Sequence, residues 1–431
     1  MISGKYFVNT KTGLDLKAML RNYPFRTEVI EGIQARKLQK LLNTVYRDDE
    51  FYREKWDSVN FKPGDIRCKE DLKYLPVITK EEYRDYTNNK IALHPQKYHN
   101  YYKDGTSGST GIPLKIYRTW DERAYMLAKY MRALFLNNYK ITYNTFSLPS
   151  PHRLQKKDSL LQYLGIMKRT CISYISPVEE MVRAFRKSRY DFIYGNKAQL
   201  LEMALYIRKN NLEISKPKLC LCAGEILDKN SREIITDVFG ESGFFEVYGG
   251  VEFNNLAFQI AGEDYFHFNH DTNILELEED GNLSSDNGNC IITDLHITSF
   301  PLIRYRLGDW LETGIKDGMR VIKKVGGRQD DWVITESGKR IPFHHFYEVM
   351  DKVPSVLKYR FIQEDLKSVK VELVLDENAD ISSVTGYLED LLKNSIDNKI
   401  RYMIKVVNNI EPEKNGKLRL LISKVNNQEI I

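Results

Sequence analysis

Tyr102-Lys103-Asp104-Gly105-Thr106-Ser107-Gly108-Ser109-Thr110-Gly111-Ile112-Pro113 is the stretch on which the reading of this chain turns. Glycines at 105, 108 and 111 let backbone N–H groups approach an anion closely. Thr106, Ser107, Ser109 and Thr110 add neutral hydroxyl donors with no competing charge. This is chemistry for holding phosphate oxygens. The loop is not a Walker A motif, because Ile112-Pro113 follows Gly111 where that motif needs Lys-Ser/Thr. It also lacks the Gly-x-Gly-x-x-Gly spacing of a dinucleotide site. The other reading is a flexible Gly/Ser/Thr linker. Tyr101-Tyr102 before the loop and the strand-like segment 114–117 after it argue against a linker.

On either side of the loop the chain reads as alternating α and β. Apolar residues from Gly32 to Tyr52 recur at helical spacing. Thr79 followed by Glu82 forms a capping-box start for a helix. Thr145 to Leu148, Asp191 to Gly195, Lys218 to Cys222 and Phe244 to Tyr248 read as strands. Lys197 to Lys209 and Asn230 to Val238 read as the helices between them, which predicts a largely parallel sheet with helices on both faces. After Phe266 shorter β pieces follow, with turns expected at Asp280-Gly281 and Asn287-Gly288. The last hundred residues read as a small α+β unit, with strands at 367–375 and 402–407 and a helix at 384–396. The expected fold is α/β: a large N-terminal domain of mainly parallel sheets flanked by helices, plus a β-rich portion, and a small mobile C-terminal α+β domain. The boundary predicted from Gly326-Gly327-Arg328-Gln329-Asp330-Asp331 gives domains 1–329 and 330–431.

Composition narrows the function classes. The 431 residues are 42% hydrophobic and 29% charged, enough to build real cores, and the net charge is only +5. Such a balance suits an anionic small ligand and lacks the basic stripe of a nucleic-acid binder. Five scattered cysteines do not form a disulfide framework. Cys220 and Cys222 fall on one face of a strand and read as buried thiols. No stretch reaches the ~20 apolar residues of a membrane span, and Met1 to Leu20 lacks a signal peptide's apolar segment. A cytoplasmic protein, monomer or homodimer, is the expectation. His267 with His270, and His344 with His345, are too few for a metal site and read as solvated or core-edge residues.

Thr106-Ser107-Gly108-Ser109-Thr110-Gly111-x-Pro113 resembles the phosphate-loop signature of the adenylate-forming (acyl-CoA synthetase) superfamily. The chain is most similar to its phenylacetate–CoA ligase branch, including capsular-polysaccharide homologues. Further motifs follow in the family's order: Ala223-Gly224-Glu225, Tyr248-Gly249-Gly250-Val251-Glu252, Arg304-Tyr305-Arg306-Leu307-Gly308-Asp309, Gly327-Arg328-Gln329-Asp330-Asp331 and Asn415-Gly416-Lys417. The resemblance implies an AMP-forming carboxylate ligase using ATP and Mg²⁺. Its acceptor would be coenzyme A, or an amine or hydroxyl in polysaccharide-linked relatives. It implies that the loop residues 106–111 hold phosphates and that Ala223, Gly224 and Glu225 contact adenine. Tyr248 and Gly249 would face the purine and substrate, Asp309 the ribose, and Arg328 the nucleotide. Glu252 would hold Mg²⁺, Asp330 would be the hinge, and Lys417 would be the catalytic cation. His152 and Gly250 are candidates for the acyl pocket.

Two departures stand out: Leu114 follows Pro113 where the superfamily has lysine, and Leu307 replaces a threonine. The stretch 313–326 lacks the cysteine cluster of some relatives, so no structural zinc is expected. Two rival classes stay open at this point: a nucleotide-binding homologue without catalysis, and a basic scaffold for anionic polymers.

Overall fold

The computed structural model describes residues 2–105, 114–154, 159–279, 281–328, 332–413 and 418–425. Its contacts divide the chain into two compact units, Met1–Asn138 with Val247–Lys324, and Tyr139–Glu246 with Val325–Ile431. Each unit is thus assembled from two separate segments.

In the first unit, helix Ile2–Arg21 lays Leu16 and Met19 against Tyr125 and Ala128 of helix Trp120–Leu136. Helix Thr27–Asp48 buries Ile30, Gln34, Leu38, Leu41, Leu42 and Val45, the i, i+4 stripe of an amphipathic helix. The periodicity predicts one helix through Tyr52, but the chain breaks at Asp49. That residue is extended, and its side chain accepts from the Tyr52 N–H to cap a second helix, Glu50–Asp57. The capping box at Thr79 is present: Thr79 Oγ1 accepts from Glu82 N at 3.2 Å, and Glu82 Oε2 from Thr79 N at 2.8 Å, opening helix Lys80–Leu93.

The sheet of this unit is antiparallel. Asn273–Glu279 pairs with Asn282–Ser284 on one side and Asn287–Asp294 on the other, and Asn287–Asp294 pairs in turn with Tyr305–Lys316. Tyr305–Lys316 and Met319–Arg328 join through Asp317-Gly318, whose φ of 50° and 75° suit a two-residue hairpin. The turn expected at Asn287-Gly288 is instead the first part of a strand. A Cβ on Gly288 would stand 2.7 Å from the Glu278 carbonyl oxygen, so glycine here permits close strand approach rather than a reversal.

In the second unit, four parallel strands run in the order Leu219–Ala223, Phe192–Asn196, Thr145–Ser147, Arg169–Cys171. Helices Val178–Arg186, Lys197–Lys209 and Lys229–Phe239 pack on them, and Cys220 and Cys222 lie buried in that core with Phe146, Leu200 and Ile235. The segment after residue 331 carries a core of its own. Its four-stranded sheet runs Arg401–Val406, Ser368–Leu375, Val356–Asp365, Leu421–Ser423, covered by helices Phe343–Met350 and Ile381–Ser395. Among the described residues no helix is long and apolar enough to cross a membrane.

A buried polar network stiffens the first unit. Arg132 Nη1 donates to both carboxylate oxygens of Asp271 at 2.9 Å, and the Lys129 ammonium, equally buried, lies 3.6 Å from Asp294 and 2.9 Å from Asn273 Oδ1. Burial alone would raise the Asp271 carboxyl. The facing Arg132 and the Asn22 amide override it and hold the group below its usual range. Arg132→Ala strands that carboxylate and should cost about 3–5 kcal/mol, read as a lowered urea midpoint. A carboxyl depressed by folding contributes stability that is complete above its unfolded value, near ~3.9, and is lost as pH falls through the folded value. The deficit of the variant should therefore narrow below about pH 4.

Candidate active site

Two paired strands flank the segment read in the sequence as a phosphate loop. Strands Tyr102–Gly105 and Lys115–Arg118 pair antiparallel, with Tyr102 opposite Arg118 and Gly105 opposite Lys115. Thr106, Ser107, Gly108, Ser109, Thr110 and Gly111 lie outside the described residues, as do Asp330 and Lys417.

Arg118 closes this strand pair. Its buried guanidinium donates to the carbonyl oxygens of Val251, at 2.7 Å, and of Glu252. Both acceptors belong to the turn that follows strand Phe244–Tyr248, so one side chain ties the hairpin to the Tyr-Gly-Gly-Val-Glu motif. Residues 118 and 251 are far apart in sequence, and motif reading missed the link. The only local signal was a cation closing a strand.

Glu252 is 5% exposed. Among the described residues no hydrogen-bond donor lies on its carboxylate, since the bonds it makes use its backbone carbonyl. With no ion pair or hydrogen bond from the described residues, the carboxylate oxygens suit a hard cation with oxygen ligands. Gly250 belongs to the same cradle: a Cβ there would come within 3.0 Å of Glu252 Oε2. Gly249 has a different reason for being glycine. A Cβ at 249 would fall 1.8 Å from the Asn254 carbonyl oxygen, so the tight return of the turn itself demands it.

Tyr248 and Asp309 meet. The Tyr248 hydroxyl donates to Asp309 Oδ2 at 2.8 Å, and burial together with the Asp309 charge pushes the phenol well up. The motif around Asp309 is anchored by ion pairs, Arg304 to Glu276 at 3.0 Å and Arg306 to Glu278 at 2.5 Å. Gly308, at φ 84°, lets the strand twist just before Asp309. Tyr305 adds a fully buried hydroxyl with no hydrogen-bond partner among the described residues.

A second group of motif residues assembles in the other unit. Gly224, at φ 83°, turns the chain after strand Leu219–Ala223 and presents Glu225. The Glu225 carboxylate accepts from the Ala198 N–H at 3.0 Å and from the Leu418 N–H at 2.8 Å. Arg328 ends strand Met319–Arg328 and is exposed. His152 falls in the short turn Pro151–Arg153. The remaining histidines noted in the sequence have ordinary partners. His267 contacts Glu263 at 2.6 Å, His270 contacts the Arg320 carbonyl at 2.7 Å, and the rings of His344 and His345 lie 4.1 Å apart.

Known proteins resemble the chain at three levels. Residues 333–424 match the sequence model of the CapK C-terminal domain. Protein CapK of Staphylococcus aureus is 23% identical over 419 residues, covering 91% of this chain and 89% of that protein. Among solved structures, 2-hydroxyisobutyryl-CoA ligase in complex with 2-HIB-AMP superposes with a TM-score of 0.73 at 15% identity, over 91% of this chain and 89% of the other. Anthranilate CoA ligase AuaEII with anthranoyl-AMP gives 0.55 at 15% identity over 74% and 65%. The amide bond synthetase McbA from Marinactinospora thermotolerans gives 0.53 at 13% over 73% and 67%. The chain therefore has the fold of the adenylate-forming ligases and resembles the CapK proteins along most of its length.

Proposed function

We propose that the protein is an ATP-dependent, AMP-forming carboxylate ligase that turns a carboxylic acid into an acyl-adenylate, releases pyrophosphate and passes the acyl group to an acceptor. The observation that carries this reading is Glu252: Arg118 ties its backbone to the strand that follows the glycine- and hydroxyl-rich loop, and its carboxylate has no hydrogen-bond or ion-pair partner among the described residues. A loop rich in glycine and hydroxyls binds polyphosphate. A carboxylate with no ion pair among the described residues suits the magnesium ion that travels with ATP, which would offset charge on the departing pyrophosphate.

The chemistry asks little of covalent catalysis. A carboxylate is a weak nucleophile, and the α-phosphorus must accept it while charge concentrates on the leaving group. Positioning and positive potential are therefore what the protein has to supply. Residues 106–111 would hold the β- and γ-phosphates. Asp309, steadied by Tyr248, would accept from the ribose hydroxyls, Ala223 and Gly224 would border the adenine, and Arg328 would approach the nucleotide. Lys417 would stabilise the pentavalent α-phosphate. His152 and Gly250 would border the acyl group. A domain of residues 330–431 would then turn about Asp330 to admit the acceptor.

The relatives support both kinds of acceptor. The names of two solved neighbours specify CoA ligases, while McbA is an amide bond synthetase. Coenzyme A giving a thioester, and an amine or hydroxyl giving an amide or ester, both follow the same first half-reaction. The likeness to CapK joins the resemblance to capsular-polysaccharide homologues of the phenylacetate–CoA ligase branch in favouring a place in surface polysaccharide synthesis.

ATP–pyrophosphate exchange across a panel of aryl, fatty, hydroxy and amino acids should reveal at least one acid that drives exchange. No exchange with any acid, in folded protein that binds ATP, would refute the reading. Lys417→Ala should lower the exchange rate about 100-fold or more while ATP affinity holds. Full activity in that variant would remove Lys417 from the mechanism.

A further inference from the structure

We propose that Glu225 is a carboxylate latch: it positions the C-terminal segment for acid activation by holding the backbone of Leu418. The proposal rests on the ligase reading above for its consequence, and on geometry for its existence. One oxygen of Glu225 accepts from Ala198 N–H, in the first turn of helix Lys197–Lys209, at 3.0 Å. The other accepts from Leu418 N–H at 2.8 Å, across 193 residues of sequence. A single side chain thus spans the parallel-sheet platform and the C-terminal segment.

The chemistry explains why the residue is a carboxylate. Both partners are N–H donors, and an ionised carboxylate is acceptor-only at both oxygens. The donor at Ala198 also belongs to a helix N-terminus, whose orphan amides and positive end favour negative charge. Leu418 follows Lys417 directly, and consecutive Cα atoms lie about 3.8 Å apart. Fixing Leu418 therefore fixes the covalent attachment point of the segment that bears Lys417.

Neighbouring contacts share the same character. Tyr347 Oη donates to the Leu227 carbonyl at 3.1 Å, Asn230 Nδ2 to the Val353 carbonyl at 2.8 Å, and Lys358 Nζ to Glu202 Oε1 at 3.1 Å. Polar contacts of this kind exchange for water on separation at small net cost. That is what a device that must close for one half-reaction and open for the next requires. The motif resemblance gives Glu225 to adenine. In the structure both of its oxygens already serve protein amides.

Glu225→Gln tests the latch, because a glutamine amide nitrogen faces one of the two donors with a donor of its own. Hydrogen–deuterium exchange of the full chain, with no substrate added, should show the peptide covering 411–420 exchanging about ten-fold faster at Leu418 in the variant. This readout judges the latch even where no acid supports turnover. With an acid that supports pyrophosphate exchange, Glu225→Gln should lower kcat about ten-fold. The KM for ATP should stay within about two-fold, and transfer from chemically prepared acyl-adenylate should be unchanged. Glu225→Asp keeps the charge but loses the span, and should behave like the glutamine variant. Unaltered exchange at Leu418 in both variants would overturn the proposal. So would a ten-fold loss of ATP affinity with kcat preserved, which would return Glu225 to the adenine.

Discussion

Arg118 is the interaction on which the site depends. Its guanidinium reaches from the closing strand of the loop-bearing hairpin to two consecutive backbone carbonyls, and it is buried where it does so. Hydrogen bonds to charged donors are among the stronger ones in proteins. These bind no side-chain carboxylate, so Arg118 orders the turn without neutralising Glu252. Had the arginine paired with that carboxylate directly, the site would hold a finished salt bridge and have no charge left to offer a cation.

The rest of the first unit supports this arrangement. Ile78 N–H donates to the Arg304 carbonyl and Arg306 N–H to the Ile78 carbonyl, each at 2.9 Å, which lays the segment before helix Lys80–Leu93 along the strand carrying Asp309. Glu122 accepts from the Thr298 and Ser299 N–H groups at 3.0 Å and so fixes the loop leading into that strand. Beneath them the Arg132–Asp271 and Lys129–Asp294 pairs form a buried ionic layer. Such a layer tolerates loss of one partner poorly, because the other charge stays behind in a low-dielectric interior.

Local features were legible in the sequence because local physics writes them. The capping box at Thr79, the helix over 197–209 and the strand at 244–248 each need only a few neighbouring residues. Misreadings arose where a distant partner decides. Asn287-Gly288 has the composition of a turn, yet Gly288 is present so that a strand can approach Glu278. The periodicity through Tyr52 hid the break at Asp49, whose carboxylate also receives the Tyr86 hydroxyl at 2.6 Å. Arg118 and Leu418 could not be found at all by motif, since their partners lie far along the chain and are carbonyl or carboxylate groups with no local pattern.

On the proposed reading the Glu252 carboxylate, on a turn whose backbone Arg118 ties to the hairpin, is the cation site through which the nucleotide is held. Calorimetric titration of ATP with and without Mg²⁺, in the native protein and in Glu252→Gln, tests it most directly. Mg²⁺ should tighten ATP binding in the native protein, and this gain should disappear in the variant, with metal-free binding little changed. An equal Mg²⁺-dependent gain in both proteins would contradict it.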